Sequence, residues 1–338
     1  MGMNNPKVTV LMPVYNGEKY IREALESILN QTFTNFEFLI IDDGSTDKSV
    51  EVIKSYTDPR IRLIHNEINL GLITNLNKGL ELASGEYIAR MDCDDISLPK
   101  RLNVQVAFMD ENPTIGVCGS WVETFGEVSG NAWKYPSCSA EIMANLLFDC
   151  CLAHPSVMIR KSMFKRYQLK YDPAELYAED FGLWFRCSMN FPLSNIKQVL
   201  VKYRITSGSV SRANAKKQAE TLKMMDRKKL AYLGIEASNG DLELHRNIGS
   251  YKFSSTPEYV FKTKIWLEKL RAANQDKQIY PKSEFLMVLA ERWFWVCNNN
   301  TCLGRWVWRE YWNSNLNCGL SLSFKQKLKF AVKCCLQR

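Results

Sequence analysis

The chain has 338 residues, 46% of them hydrophobic and 24% charged, with a formal net charge of +8; this describes a globular chain long enough for one large domain plus an appendage and excludes collagen-like, disordered and disulfide-scaffold classes. Eleven cysteines are scattered without a CxxC pair and with no leader segment in front of them, so they are expected to be reduced, small apolar side chains of a cytosolic protein. No run approaches the roughly 18 to 20 apolar residues of a membrane span.

Strand and helix patterns alternate through the N-terminal half. KVTVLMPVY is β-rich and apolar throughout, the pattern of a strand buried on both faces of a parallel sheet. EKYIREALESILNQ then sets Ile21, Leu25, Ile28 and Leu29 on one face of a helix. FEFLIIDDGS is a second strand that runs into a turn with two Asp and a Gly. DKSVEVIKSY is helical, IRLIHN a third strand, LITNLNKGLELAS a third helix and GEYIARMD a fourth strand. This βαβαβαβ series predicts a parallel sheet with right-handed crossovers, and ligands of such sheets bind beyond the carboxyl ends of the strands. PVYNG, DDGSTD and DCDD all stand at strand C-termini and are expected to converge on one cleft.

Within EYIARMDCDDISLP three carboxylates, Asp92, Asp94 and Asp95, directly follow a strand. Like charges this close repel unless something positive lies between them, and a divalent cation is the simplest candidate. Asp95 has a second reading, as the cap of the helix that ISLPKRL begins. No GxGxxG follows the first strand and no GxxxxGK[ST] occurs, which disfavours a dinucleotide site and a P-loop. Carboxylates suit ribose hydroxyls, a base N–H and a hard cation that neutralises a diphosphate, the groups of a sugar nucleotide. Further on, AED places Glu179 and Asp180 before FGLWFR. They serve either as a general base with its neighbour or as negative charge at a helix N-terminus.

VTVLMPVYNGEKYIREALESILNQTFTNFEFLIIDDGSTDKS, NLGLITNLNKGLELASGEYIARMDCDD, HPSVMIRKSMF and AEDFGLWFR resemble, in order and spacing, the family 2 inverting glycosyltransferases of the GT-A fold, particularly bacterial enzymes of surface-polysaccharide assembly. The resemblance covers about residues 6–210. It implies an α/β fold with a Rossmann-like, mostly parallel sheet flanked by helices as a catalytic domain over 1–213, followed by a basic, Trp-rich, mostly helical region over 214–338. It implies transfer, dependent on Mn²⁺ or Mg²⁺, of a hexose or N-acetylhexosamine from a UDP-sugar to a saccharide acceptor linked to a lipid diphosphate. The setting implied is O-antigen, capsule or exopolysaccharide synthesis at the inner face of the bacterial cytoplasmic membrane.

Carried over residue by residue, the resemblance implies that Pro13, Tyr15 and Asn16 flank the nucleotide, with Tyr15 stacked on uracil. Asp43 is implied to accept the base N3–H with Asp42 beside it, and Asn69 and Asn75 to line the same pocket. Asp94 is implied as the main metal ligand with Asp92, while Asp92 and Asp95 also serve the ribose or support the ligands. Asp180 is implied as the base that takes the acceptor's proton, with Glu179, His154 and Trp184 around the acceptor; Leu183, Trp184 and Cys187 are expected to face the sheet. Arg204, Ser209 and Ser211 are implied to approach the diphosphate. Thr206 stands where many relatives carry a His, which leaves the cation to carboxylate, diphosphate and water.

Two other classes stay open. A sugar-1-phosphate nucleotidyltransferase calls for a Gly-rich, basic loop where PVYNGEKY stands, and a catalytically silent nucleotide-sugar-binding or scaffold protein has no need of both carboxylate sets. The charge is split along the chain: residues 1–210 carry 21 Lys and Arg against 25 Asp and Glu, and residues 211–338 carry 23 against 11. Six of the nine Trp also lie in the second part. Basic residues interleaved with Trp, Phe and Leu suit peripheral contact with anionic lipid headgroups; a packed helical domain with Trp in its core is the other reading. No nucleic-acid module accompanies the charge, so nucleic acid is not an expected partner. In FKQKLKFAVKCCLQR, Phe324, Leu328 and Ala331 share a helical stripe beside Lys325, Lys329 and Lys333. Oligomerisation stays open.

Overall fold

The computed structural model describes residues 6–206 and 214–337. The chain forms two units, one from residues up to 139 with 151–221, the other from 140–150 with 222 onward.

In the first unit β1 (Val8–Val14), β2 (Phe36–Asp42), β3 (Ile61–His65) and β4 (Tyr87–Arg90) run parallel in the order β3-β2-β1-β4. The crossovers are α1 (Ile21–Leu29), α2 (Ser49–Lys54) and α3 (Leu72–Leu82). All of β1 is buried, as a strand covered on both faces must be, whereas β3 forms the edge and is partly exposed. The apolar face of α1, Ile21, Ala24, Leu25 and Ile28, shares a core with Val10, Met12, Phe38 and Ile40.

Beyond β4 the sheet becomes mixed. β8 (Met158–Arg160) lies antiparallel to both β4 and β6 (Val117–Gly126), and β9 (Leu193–Ile205) runs parallel to β6. The two-residue β5 (Ile96–Ser97) pairs antiparallel with β9 at the far edge, and β7 (Ala132–Trp133) pairs with β6. The α/β class and the parallel βαβ half are therefore as the sequence predicts, while the mixed half is an addition whose β5, β7 and β8 are too short, and whose β6–β9 pairing is too irregular in register, to announce themselves.

One detail of register makes the cleft. β1 pairs with β2 through Val14↔Asp42 but with β4 only as far as Leu11↔Arg90. Beyond Leu11 and Arg90 the two strands part, at their C-termini and at the point where strand order reverses, which in an open α/β sheet is the usual ligand crevice. Pro13 faces this unpaired stretch, so its missing N–H leaves no ladder bond unmade.

The second unit is helical: Asn239–Gly249, Pro257–Lys277, Lys282–Asn299, Arg305–Trp312 and Phe324–Leu336, with the end of Ala215–Tyr232. Leu147 and Phe148 join Leu267, Leu270, Phe285, Trp293 and Phe330 in one core. Trp266 and Trp293 belong to that core, whereas Trp295, Trp306 and Trp312 keep more than a third of their surface exposed. The packed-core reading of the Trp-rich tail thus holds for Trp266 and Trp293, while Trp295, Trp306 and Trp312 reach the surface. Among the described residues no helix is long and apolar enough to cross a membrane.

Candidate active site

The loops after β1 and β2 are stitched together by hydrogen bonds. Asn16, at φ +49°, donates its N–H to Ser45 Oγ (2.9 Å) and accepts from Thr46 N–H on Oδ1 (2.9 Å). Gly17 N–H donates to Ser49 Oγ (2.8 Å), and Glu18 and Lys48 N–H donate to Asp47 and Glu18 carboxylates (2.9 Å each). Gly44, at φ +70°, has no room for a side chain: a Cβ there would stand 2.9 Å from the Ile68 carbonyl carbon. These contacts leave Tyr15 at the crevice rim, 51% exposed. Pro13, by contrast, is buried within β1, so it walls the crevice from inside the sheet instead of flanking a ligand.

Asp42 and Asp43 are both buried and both already engaged. Asp42 Oδ2 accepts Ser45 N–H (3.1 Å) and meets His65 Nδ1 at 2.8 Å. Asp43 Oδ1 accepts from Leu70 N–H (2.8 Å) and Asn66 Nδ2 (3.1 Å), and Oδ2 from Gly71 N–H (2.9 Å). Burial alone would raise the pKa of Asp43; the donors from Leu70, Asn66 and Gly71 outweigh it and hold the group below the usual carboxylate range. Asn66 continues the network to Asn75 Oδ1 (2.7 Å) and takes Lys78 Nζ on its own Oδ1 (2.8 Å). Asn75 is buried in this support, whereas Asn69 is exposed on the turn that Asp43 holds.

Residues 91–95 leave β4 for β5 and carry the carboxylate triad. One carboxylate oxygen from each of Asp92, Asp94 and Asp95 lies within 4.8 Å of the other two. Burial, then the Asp92 charge, pushes Asp94 up to about 6, and the same two causes push Asp95 well above its ordinary value. Asp95 does not cap α4 (Arg101–Glu111), whose N-cap residue is Lys100; its Oδ1 accepts Arg204 N–H (2.8 Å), and its buried Oδ2 has no partner among the described residues. Arg204, on β9, donates from Nε to the Asp94 carbonyl (2.7 Å) and pairs with Glu23 (2.6 Å), its guanidinium carbon lying 4.1 and 4.2 Å from the ring centroids of Tyr20 and Phe125. It therefore clasps the triad loop to β9. Ser209 and Ser211 lie outside the described residues.

Glu179 and Asp180 open the helix Glu179–Ser188, where negative charge is favoured by the helix dipole. Burial, then the Asp180 charge, pushes Glu179 up to about 7, and burial also raises Asp180. The Asp92 charge raises both of them as well, by less than burial does. The link is Arg90, the last residue of β4. Its buried guanidinium hydrogen-bonds Asp92, and its charge lowers the pKa of Asp94, Asp95, Glu179 and Asp180. Sequence reading missed it, as it missed Tyr171, whose hydroxyl meets His154 Nε2 at 2.8 Å.

Two expected acceptor contacts need correction. Trp184 is completely buried, edge-on to His154, and offers no surface to a saccharide. His154 is itself buried; desolvation, then the Arg90 charge, holds it well below its ordinary pKa, so it is neutral and its ring supports Tyr171. Leu183, Trp184 and Cys187 do turn into the core.

The family described as Glycosyl transferase family 2 matches over residues 9–186. An uncharacterised glycosyltransferase of Haemophilus influenzae is 35% identical over 241 residues, 68% of this chain and 75% of the relative. WfgD of Escherichia coli, described as a UDP-Glc:alpha-D-GlcNAc-diphosphoundecaprenol beta-1,3-glucosyltransferase, is 28% identical over 214 residues, 62% of this chain and 81% of that protein. Among solved structures, S. aureus TarS residues 1–349 in complex with UDP-GlcNAc shares the fold at a TM-score of 0.57 and 18% identity, covering 98% of this chain and 90% of that one.

Proposed function

The chain belongs to glycosyl transferase family 2 and is a glycosyltransferase, and from that premise we propose that it moves a hexose or N-acetylhexosamine, with inversion, from a UDP-sugar to a hydroxyl of a lipid-diphosphate-linked saccharide in bacterial surface-polysaccharide synthesis. The observation that carries the reading is the carboxylate triad Asp92/Asp94/Asp95, held by the buried Arg90 through Asp92, whose charge also acts on the second carboxylate pair, Glu179/Asp180. A donor site and an acceptor base need that proximity. The name of WfgD supports a UDP-sugar donor and a lipid-linked acceptor.

The triad fits a hard divalent cation, Mn²⁺ or Mg²⁺: its donors are all carboxylate oxygens, crowded within 4.8 Å, and Asp95 Oδ2 is buried without a protein partner among the described residues. Asp94 and Asp92 would hold the ion, which when bound offsets the negative charge that builds on the departing diphosphate. Tyr15 offers its exposed ring to uracil, and Asp43 accepts the base N3–H while fixing the 69–71 turn. Asp180 takes the proton of the acceptor hydroxyl as that oxygen attacks C1 opposite the nucleotide. The C1–O bond to the diphosphate breaks with its electron pair, UDP leaves, and the anomeric configuration inverts. Arg90 keeps this carboxylate ionisable among its negative neighbours. Catalysis is assigned to residues 1–213. The lipid carrier of the acceptor sets the reaction at the inner face of the cytoplasmic membrane, reached by peripheral contact through residues 214–338.

A panel of UDP-sugars against short lipid-diphosphate-linked saccharides, read by mass spectrometry, tests the proposal. One donor should give a product heavier by one hexose or N-acetylhexosamine. Nucleotide binding without turnover across the panel would favour a silent binding protein, and formation of a nucleotide sugar from sugar 1-phosphate would favour a nucleotidyltransferase.

A further inference from the structure

The final helix, Phe324–Leu336, buries one face and leaves a second apolar face uncovered. Phe330 and Cys334 are buried, with Phe330 packed on Trp308 and Tyr311 at centroid distances of 5.2 and 5.4 Å. On another side Phe324, Leu328, Val332 and Leu336 follow one another at i, i+4, i+8 and i+12, and they are 81%, 54%, 46% and 58% exposed. A lone exposed leucine needs no explanation, but a continuous apolar row four side chains long does. This row also differs from the stripe expected from sequence: Val332 and Leu336 continue it, and Ala331 lies partly covered at its margin.

The flanks of the row are basic. At 100° per residue Lys329 and Lys333 fall on one side with Lys325 between the apolar side chains, and Lys327 falls on the other. Lys327 Nζ stands 5.7 Å from the ring centroid of the part-exposed Trp312. No Asp or Glu follows Glu310 in the chain, and Glu310 is itself paired with Lys264 at 3.0 Å. The helix is firmly started, because Ser323 and Gln326 form a reciprocal capping box.

We propose that this face is a docking surface for an anionic lipid bilayer, the helix lying in the membrane plane with its apolar row at the headgroup boundary and its lysines among the phosphates. Charge decides between occupants. Two copies of the helix face to face would set lysine against lysine with no carboxylate to separate them. An anionic membrane supplies both the apolar boundary and the countercharge. The inference deepens, and rests on, the peripheral contact proposed above for residues 214–338, and it is read without substrate, so its failure would leave the transfer reaction itself standing, and failed transfer would leave this surface standing.

The test uses the full chain and sedimentation with vesicles of phosphatidylglycerol and phosphatidylcholine, or of phosphatidylcholine alone. The protein should pellet with the anionic vesicles at low ionic strength and be released by high salt. The pair Leu328→Glu and Val332→Glu should lower the vesicle-bound fraction about tenfold or more, with the thermal unfolding midpoint unchanged because neither side chain is in the core. The triple variant Lys325→Gln, Lys329→Gln and Lys333→Gln should bind but be released at lower salt. Equal recovery in the supernatant with both vesicle types overturns the proposal, as does undiminished pelleting of the double Glu variant. So does a dimer in sedimentation equilibrium that the double Glu variant dissociates, which would make the face a contact between copies.

Discussion

Replacing Arg90 with Met should cost stability in a way that depends on pH, and the structure sets both size and sign. Met keeps much of the length and removes only the charge and its hydrogen bonds. The guanidinium is buried, bonded to Asp92, and lowers the pKa of Asp94, Asp95, Glu179 and Asp180. Removing one side of a buried ion pair costs about 3–5 kcal/mol, which for a domain of this size corresponds to a melting midpoint lower by roughly 6–20 °C. A carboxylate whose folded pKa lies above its unfolded value destabilises the fold as pH rises from the unfolded value, and the penalty levels off above the folded one. Without Arg90 those folded values rise further. The loss should be fullest near about pH 8 and shrink toward about pH 5, where the carboxylates take up protons. Scanning calorimetry of wild type, Arg90→Met and Arg90→Lys in chelator, repeated with Mn²⁺, provides the measurement. Arg90→Lys should recover part of the loss, and so should Mn²⁺ added to Arg90→Met if the triad holds it. Midpoints for wild type and Arg90→Met that agree at alkaline pH, or a gap that pH does not change, would refute the assignment of Arg90 as the shared counter-ion.

The other expectations concern turnover. Chelation should abolish transfer, and Asp94→Asn should lower it by about 10²-fold or more without altering the circular dichroism spectrum; full activity in excess EDTA would remove the cation from the reaction. Asp180→Asn should lower kcat by about 10²–10⁴-fold while UDP affinity, measured calorimetrically, stays near wild type, and the NMR coupling constant of the wild-type product should report inversion. Because burial and the Asp180 charge push Glu179 up to about 7, and burial raises Asp180 as well, protons held on this pair at low pH should make kcat/KM fall on the acid side. Glu179→Gln removes a neighbouring negative charge and should move this acid limb to lower pH; an unmoved limb would mean that the two groups do not titrate together.

The sequence made the βαβ half of the fold legible because its strands are buried on both faces and its helices carry one apolar face, as β1 and α1 illustrate. It did not announce β5, β7 or β8, which are two or three residues long and exist only because β9 and β6 offer edges to pair with. The same limit applied to the segment 140–150, whose Leu147 and Phe148 pack with residues far downstream. Nothing local distinguishes them from any other short helix.

Within the site, spacing located the carboxylates but not what surrounds them. Arg90 ends a four-residue buried strand, YIAR, where alternation gives no reason to expect a charge; its meaning depends on Glu179 and Asp180, which come beside it only through the fold. Trp184 shows the converse error. Asp180 and Trp184 are i and i+4 on the helix Glu179–Ser188, so helical geometry sets them on one face, and a contact of one with the acceptor suggests a contact of the other. The helix, however, starts at the crevice and continues into the core: Glu179 and Asp180 are its first two residues, and Trp184, one turn on, is fully buried. The face that presents a base at its first turn packs against His154 at its second. His154 then meets Tyr171, which feels the charges of Arg90, Asp180 and Glu179. The aromatic residues beside the motif therefore act from behind the site, holding the first turn with the proposed base Asp180 in place, and a Trp184→Leu change should lower stability and kcat together while leaving the KM for the sugar acceptor nearly unchanged; a selective rise in that KM would return Trp184 to the acceptor surface.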